Sequence, residues 1–211
     1  MKEYKLPIGC DVPETIILAD GDFPSHPLAL EWLRQCPYVV CCDGAANTYI
    51  RSGRMPEAIV GDGDSLLPDI KERYASLIHS EAEQETNDLS KAFRFCLSQE
   101  RKRITIMGAT GKREDHTIGN VSLLADYMEQ AEVSMMTDYG IFVPIREDSM
   151  FESYIGQQIS VFNMNSTALS AEGLAYPLSV FTNWWQGTLN EALARHFMAH
   201  PIKQGENSLI L

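Results

Sequence analysis

Two aspartates separated by a single glycine follow a short apolar run in the first third of the chain. Asp62 and Asp64 flank Gly63, and the preceding residues 58–60 (Ala-Ile-Val) are typical of a buried β-strand. In open α/β sheets, ligands bind beyond the carboxyl ends of the strands. Two carboxylates about 4 Å apart repel each other by roughly 4 kcal/mol at an effective dielectric constant of about 20. A hard cation such as Mg²⁺ offsets this repulsion and prefers oxygen ligands, so the spacing predicts a metal-binding turn.

Two further aspartates occupy comparable places in the sequence. Asp43 follows the apolar residues 38–42, and Asp88 stands at the start of a segment whose apolar residues have helical spacing. Loops at alternating strand ends allow these acids to converge with Asp62 and Asp64, but they do not require it. The alternative is that each acid is solvated in its own loop, or that Asp88 only interacts with the helix dipole.

A glycine-bounded turn, Gly108-Ala109-Thr110-Gly111, lies between a predicted strand and a predicted helix, where backbone amides commonly hold phosphate. It is neither a P-loop nor a G-x-G-x-x-G motif, and a purely structural turn is the alternative. Arg113 could clamp phosphate oxygens. Asp115 could cap the helix or hold a metal-bound water, and His116 could act as a base or simply be solvated.

Apolar strands alternate with helices in the first two thirds of the chain. This alternation predicts an α/β domain with a parallel sheet that is covered on both faces. The predicted strands are residues 15–19, 38–42, 58–60, 76–79 and 104–107, and the predicted helices are residues 28–35, 44–52, 89–97 and 118–128.

After about residue 137 the segments become short and bounded by turns, which predicts a small antiparallel β-sandwich. The predicted strands there are residues 141–145, 159–164, 167–169, 180–183 and 208–211. We place the boundary at the turn after Asp138, giving an α/β domain over 1–138 and a β domain over 139–211. Trp184 and Trp185 are predicted to lie in the core of the sandwich.

Composition limits the classes of partner and compartment. The 211 residues carry a formal net charge of −12, which argues against a nucleic-acid-binding surface. Five cysteines without C-x-x-C spacing indicate reduced thiols. Residues 1–5 do not show the apolar stretch expected of a signal peptide, and no apolar run approaches the roughly 20 residues of a membrane span. We therefore expect a cytoplasmic protein with no membrane segment and no nucleic-acid partner.

Six segments, taken in order and spacing, resemble the motifs of the thiamin pyrophosphokinase family. Four of them lie in the α/β part, and two in the β part resemble the segments with which that family binds thiamin. They are residues 42–47, 61–65, 84–92, 108–116, 170–178 and 187–191. The resemblance covers nearly the whole chain and rests on the six segments together rather than on any one of them.

The resemblance implies transfer of a pyrophosphoryl group from ATP to the hydroxyl oxygen of thiamin, giving thiamin diphosphate and AMP. It implies an α/β nucleotide domain joined to a β-sandwich, in a homodimer whose active sites lie between subunits. Asp62, Asp64 and Asp88 would hold Mg²⁺ and, with Asp43, form the catalytic set. The implied ATP-side residues are Gln84, Thr110, Arg113, Asp115 and His116, and the implied thiamin-side residues are Ser170, Tyr176 and Asn190.

Several alternatives stay open from the sequence. The same acids could serve a metal-dependent phosphohydrolase, a pyrophosphokinase for another heterocyclic alcohol such as a hydroxymethylpterin, or a non-catalytic thiamin sensor. Either Asp64 or Asp88 could accept the hydroxyl proton. The chain also departs from the family pattern, because Gly63 replaces a common aromatic residue, Asn87 a threonine, Lys112 a glycine and Leu189 a serine.

Overall fold

Buried apolar strands alternate with amphipathic helices through the first two thirds of the chain. The strands form one seven-stranded sheet. The computed structural model describes residues 1–7, 11–81, 83, 85–164, 168–178, 183–202 and 209–210. The chain divides into an α/β unit, Gly9–Ile141, and a β unit made of Met1–Ile8 and Phe142–Leu211.

The strands and helices are numbered in chain order. The strands are β1 (Lys2–Tyr4), β2 (Thr15–Leu18), β3 (Val39–Cys42), β4 (Ala58–Gly61), β5 (Ile78–Ser80), β6 (Arg103–Met107), β7 (Glu132–Met136), β8 (Ile141–Phe142), β9 (Pro144–Ile145), β10 (Ser149–Glu152), β11 (Gln158–Asn163), β12 (Ala168–Glu172), β13 (Gly187–Glu191), β14 (His196–Ile202) and β15 (Leu209–Ile210). The helices are α1 (Pro27–Gln35), α2 (Ala45–Arg51), α3 (Pro68–Arg73), α4 (Asp88–Ser98) and α5 (Glu114–Tyr127).

The order of the seven-stranded sheet places several loops at one edge. The order is β5-β4-β3-β2-β6-β7-β8, and the pairs from β5 through β7 are parallel. From β2 the chain proceeds to β3, β4 and β5 on one side, and it returns to β6 on the other side. The strand order therefore reverses at β2, and the loops that follow β2, β3, β4 and β6 lie at the same carboxyl edge, where α/β sheets bind ligands.

Helix α4 shows why the sequence pattern forms these elements. Asn87 caps its N-terminus by accepting a hydrogen bond from the Ser90 amide, and Leu89, Phe93 and Cys96 are buried on one face. The Phe93 ring stacks on Tyr127 of α5, with ring centroids 3.9 Å apart. The predicted helix at this place is confirmed.

The predicted strands at residues 15–19, 38–42, 58–60 and 104–107 correspond to β2, β3, β4 and β6. The strand predicted at 76–79 begins at Ile78, because Ala75–Leu77 form a 3₁₀ turn before it. Helix α3 was not predicted from its six residues, which are too few for a clear periodic pattern.

The β unit contains two four-stranded sheets with the orders β1-β10-β14-β12 and β13-β11-β15-β9. Residues of both sheets share one hydrophobic cluster, which includes Phe151 and Leu169 from the first sheet and Ile145 and Val161 from the second. The strand predicted at 180–183 lies largely outside the described residues.

The N-terminal strand belongs to the β unit, whereas the sequence prediction assigned residues 1–138 to the first domain. Strand β1 pairs in parallel with β10, and Tyr4 stacks on Phe151 with ring centroids 4.6 Å apart. Three strand residues carry too little pattern to reveal a partner nearly 150 residues away along the chain.

Trp184 and Trp185 are not core residues, so this sequence prediction was wrong. Each side chain is 53% exposed, because both residues lie in a turn. The turn is closed by a hydrogen bond from the Gln186 amide to the Asn183 carbonyl. The Trp184 ring contacts Phe162 at a centroid distance of 5.5 Å.

Cys41, Cys42 and Cys96 are buried free thiols, as the sequence predicted, whereas Cys10 lies outside the described residues. Burial raises the pKa of the Cys96 thiol to about 12, so this group stays protonated at neutral pH. Across the described ranges, no helix combines the length and the apolar character needed to cross a membrane.

Candidate active site

Asp43 and Asp88 both lie against Gly61 at the carboxyl edge of the sheet. Gly61 ends β4 with φ +154°, and a Cβ atom placed on it would lie 2.8 Å from the Asp43 Cβ and 3.3 Å from the Asp88 Cγ. A side chain at this position would collide with Asp43 and crowd Asp88. Glycine therefore allows the backbone of β4 to approach both carboxylates.

We expect Gly61→Ala to lower the free energy of unfolding by on the order of 2 kcal/mol, because the φ angle and the Cβ contact are both unfavourable. Gly119→Ala in α5 is the matched control. A Cβ there meets nothing within 4 Å, and we expect a gain of about 0.4–1 kcal/mol. Urea unfolding measures the free energy of unfolding of both variants. Equal stability of the two variants would show that Gly61 has room for a side chain.

The carboxyl group of Asp43 is buried and only partly satisfied. Asp43 is 3% exposed, and its Oδ2 accepts a hydrogen bond of 3.0 Å from the Ser65 amide. Its Oδ1 is buried and has no hydrogen-bond partner among the residues that the structure describes. Burial, opposed by the Ser65 hydrogen bond and reinforced by the charges of Asp88 and Asp62, raises the Asp43 pKa above its usual range. Asp62 and Asp88 are thus close enough to affect Asp43.

The turn that carries Asp62 and Asp64 is held by side chains from α2 and α3. The Asp62 Oδ1 accepts a hydrogen bond of 3.1 Å from the Asp64 amide, and Lys71 Nζ donates to the Gly63 carbonyl at 2.9 Å. Asn47 of α2 donates to the Ser65 carbonyl at 2.8 Å and accepts from the Leu67 amide at 3.0 Å. These contacts fix the turn next to Asp43.

Lys91 is a buried cation beside the acids. Its side chain is 3% exposed, and its Nζ lies 3.3 Å from the Asp88 Oδ1 one helical turn away. A buried ammonium group requires a counter-charge, which Asp88 supplies. The sequence prediction did not select Lys91, although its i,i+3 spacing from Asp88 could have indicated it.

The loop 108–111 is in contact with the segment that follows β2. The Gly21 amide donates to the Gly108 carbonyl at 2.6 Å, and the Asp22 amide donates to the Thr110 carbonyl at 2.8 Å. Gly111 packs so closely on the Asp22 carboxylate that a Cβ there would require the Asp22 side chain to move. The loops after β2 and β6 thus meet where the strand order reverses.

A cavity of about 240 Å³ opens at this meeting point. It is lined by Ala19, Asp20, Gly21, Asp22, Phe23, Ala45, Thr48 and Lys112. Lys112 Nζ donates to the Asp20 carbonyl at 2.8 Å and to its Oδ1 at 3.1 Å. The prediction used Asp20 and Asp22 only as strand breakers, although they have the same Asp-Gly-Asp spacing as Asp62 and Asp64.

Arg113 and Asp115 form an exposed ion pair at the start of α5. The Arg113 Nε donates to the Asp115 Oδ1 at 3.1 Å, which lowers the pKa of Asp115. Their side chains are 67% and 62% exposed, and exposed ion pairs contribute little to stability. An incoming phosphate could therefore replace Asp115 as the partner of Arg113. His116 is exposed beside them, and its amide donates to the Asp115 Oδ1 at 3.0 Å. Gln84 lies outside the described residues.

The acids do not form a ready-made metal cage. Within the described ranges, no three His, Cys, Asp or Glu side chains are grouped so that they could hold a metal ion. Magnesium is usually held by only one or two carboxylates together with waters and substrate phosphates, so a complete protein cage is not required. The negative charges of Asp62 and Asp88 beside the buried, partly unsatisfied Asp43 carboxyl fit a site whose charge a hard cation would offset.

In the β unit, Asn190, which the resemblance places on the thiamin side, is hydrogen-bonded to the backbone beside Tyr176. Asn190 is 3% exposed, and its Nδ2 donates to the Tyr176 carbonyl at 2.8 Å. Its Oδ1 accepts from the amides of Tyr176 and Glu191, both at 3.0 Å. Asn190 thus holds the backbone of Tyr176, whose own side chain is 64% exposed. Ser170 is exposed on β12, opposite His200 of β14.

In comparisons with known proteins, both units of the chain match models of one family. The family model of the thiamin pyrophosphokinase catalytic domain matches residues 29–136, and that of the thiamin pyrophosphokinase substrate-binding domain matches residues 140–204. Thiamine pyrophosphokinase 1 of Oryza sativa subsp. japonica is 30% identical over 129 residues, which cover 49% of each chain. Thiamine pyrophosphokinase of Bacillus subtilis is 34% identical over 86 residues, covering 39% of this chain and 40% of the relative. The chain spans about half the length of the curated relatives it matches, or less.

Solved structures share the fold over most of their length. The crystal structure of thiamine pyrophosphokinase from Bacillus subtilis has a TM-score of 0.75 at 21% identity, covering 93% of this chain and 96% of that one. Thiamin pyrophosphokinase from Candida albicans has a TM-score of 0.76 at 16% identity, covering 99% and 91%. With the catalytic-domain and substrate-binding-domain models matched one after the other, the chain belongs to the thiamin pyrophosphokinase family.

Proposed function

We propose that this protein transfers the pyrophosphoryl group of ATP to the hydroxyl oxygen of thiamin. The hydroxyl oxygen forms a bond to the β-phosphorus, the bond from that phosphorus to the α,β-bridging oxygen breaks, and AMP leaves. The hydroxyl proton passes to a carboxylate, for which Asp64 and Asp88 are the candidates. The products are thiamin diphosphate and AMP.

The observation that carries this proposal is the match of two consecutive family models, one for the catalytic domain and one for the substrate-binding domain. The geometry of the α/β unit supports it independently. Asp62 and Asp88 act electrostatically on the buried Asp43 at the same sheet edge as the loop 108–111. Phosphoryl-type transfer needs mainly positioning and charge neutralisation, and these groups supply both.

We assign the residues of the α/β unit to ATP and its metal. The carboxylates that would hold Mg²⁺ are those of Asp62, Asp64 and Asp88, one or two of them at a time together with phosphate oxygens and water. The ion would neutralise phosphate charge when it is bound. Arg113 would exchange Asp115 for a phosphate oxygen. Thr110, Gln84 and His116 stay proposed nucleotide contacts on the basis of the family resemblance.

The finer architectural assignments also belong to this proposal. We assign nucleotide binding to the parallel-stranded α/β unit, Gly9–Ile141, and thiamin binding to the β unit, with its two sheets forming a sandwich. A homodimer with active sites between subunits is proposed from the resemblance. A cytoplasmic location is proposed from the buried free thiols Cys41, Cys42 and Cys96.

An acceptor panel tests the reaction class. The protein is incubated with Mg²⁺ and ATP alone, with added thiamin, and with added hydroxymethylpterin, and the nucleotides are separated by anion exchange. We expect AMP only with thiamin. AMP with the pterin alone would identify another alcohol as acceptor, ADP without any acceptor would indicate a phosphohydrolase, and thiamin binding without turnover would indicate a sensor.

Tyr176→Ala tests the thiamin side of the proposal. The exposed ring is suited to a cation–π contact with the thiazolium, worth about 0.5–2 kcal/mol, so KM for thiamin should rise about 2- to 30-fold. KM for ATP should change less than about twofold, because ATP is assigned to the other unit. Tyr176→Trp is the control and should keep the affinity for thiamin. Equal losses for both substrates would remove Tyr176 from the thiamin site.

A further inference from the structure

A buried amide of α5 connects the two loops to which phosphate and metal are assigned. Asn120 is 8% exposed, and its Nδ2 donates a hydrogen bond of 2.9 Å to the carbonyl of Ala109 in the loop 108–111. Its Oδ1 accepts a hydrogen bond of 3.0 Å from the Nδ2 of Asn87. A buried amide is costly unless it is paired, and this one is paired at both ends.

Asn87 carries the connection into the first turn of α4. It is the N-cap residue, and its Oδ1 accepts from the Ser90 amide at 2.9 Å. The next residue is Asp88, which pairs with Lys91. A continuous series of hydrogen bonds therefore runs from the Ala109 carbonyl through Asn120 and Asn87 to the helix turn that presents Asp88.

The packing of α4 on α5 has other contacts of its own. The hydroxyl groups of Ser90 and Tyr127 lie 2.8 Å apart in a buried hydrogen bond, and the Phe93 and Tyr127 rings are stacked. The amide pair Asn87–Asn120 differs from these contacts, because it also bonds to the loop 108–111. Its removal should change the position of that loop relative to Asp88 rather than only loosen the two helices.

We infer that Asn120 is a positioning residue that sets the distance between the loop 108–111 and Asp88. This inference rests on the proposed function for its catalytic consequence. The loop is assigned to the phosphates of ATP, and Asp88 to the metal that neutralises them. A misplacement of about 1 Å in such a constellation can lower the rate by about a hundredfold.

Asn120→Asp tests the two hydrogen bonds of Asn120 separately, because it keeps one of them and removes the other. An ionised carboxylate still accepts from Asn87, but it has no proton for the Ala109 carbonyl. Asn87→Thr is the second variant; it retains a good N-cap group while it removes the amide donor to Asn120. Tyr127→Phe is the matched control, because it deletes a buried hydrogen bond between the same two helices without a contact to the loop.

The experiment measures amide hydrogen exchange by NMR and steady-state kinetics on the full chain. The amides of Gly21 and Asp22 report the loop, because they bond to the Gly108 and Thr110 carbonyls, and the Ser90 amide reports the start of α4. In Asn120→Asp we expect faster exchange at Gly21 and Asp22, and a fall in kcat of about tenfold to a hundredfold. In Tyr127→Phe these two amides should be unchanged and kcat should stay within about twofold.

Two results would overturn the inference. The first is unchanged exchange at Gly21 and Asp22 in both Asn120→Asp and Asn87→Thr. The second is a loss of kcat in Tyr127→Phe as large as in Asn120→Asp, which would make the effect one of general packing. If the wild-type protein forms no thiamin diphosphate, the proposed function fails, whereas the exchange rates still decide whether Asn120 positions the loop.

Discussion

Asp62→Asn is expected to lower kcat for thiamin diphosphate formation at least about a hundredfold while the fold is retained. The substitution keeps the size of the side chain and an oxygen that can accept from the Asp64 amide, as the Asp62 Oδ1 does in the native turn. It removes one negative charge from the group that includes Asp43 and Asp88. The affinity for the metal, and with it the neutralisation of the phosphates, should fall.

Asp69→Asn is the matched control for this variant. Asp69 is an exposed acid in the first turn of α3, so the same change of charge occurs outside the site. We expect its kcat to stay within about twofold of the wild-type value. The measurement is kcat as a function of Mg²⁺ concentration, with circular dichroism to confirm folding. Normal turnover of Asp62→Asn at low Mg²⁺ would contradict the metal assignment.

Asp43→Asn is expected to change activity and stability in opposite directions. The pKa of Asp43 is raised chiefly by burial, so folding disfavours its ionised form relative to the unfolded chain. Asparagine tolerates the φ angle of +29° and keeps an acceptor for the Ser65 amide. The variant should therefore be more stable than the wild-type protein at pH 7, whereas kcat should fall about tenfold to a hundredfold.

The stability advantage of Asp43→Asn should depend on pH, and the raised pKa of Asp43 gives the direction of that dependence. A carboxyl group whose pKa is raised on folding contributes stability below the pKa of the unfolded chain, about 3.9, and loses that contribution as the pH rises through the folded value. The advantage of Asp43→Asn should consequently be small near pH 4 and grow toward neutral pH. Urea unfolding at several pH values measures it, and an advantage that shrinks with rising pH would show that burial does not penalise the charge of Asp43.

The sequence predicted those parts of the site that depend on local pattern. Asp43 and Asp62 could be placed at strand ends, because short apolar runs precede them and become β3 and β4. The helix that begins at Asp88 followed from the periodicity of Leu89, Phe93 and Cys96. In each case the signal lies within about ten residues, which is the range that propensity and periodicity describe.

The structural features that the sequence did not predict depend on contacts between segments distant in the sequence. The pairing of β1 with β10, the bonds of Asn190 to the backbone of Tyr176, and the position of Asp22 against Gly111 have no local pattern. The prediction that Trp184 and Trp185 are buried was wrong for a related reason. An aromatic pair predicts burial only where the chain forms a strand, and these two residues lie in a turn.

³¹P NMR of the protein with Mg²⁺, ATP and thiamin distinguishes transfer of an intact pyrophosphoryl group to thiamin from hydrolysis of ATP. We expect AMP and thiamin diphosphate in equal amounts in the complete mixture, and neither product when thiamin or metal is omitted. ADP or inorganic phosphate formed at the same rate without thiamin would contradict pyrophosphoryl transfer to thiamin.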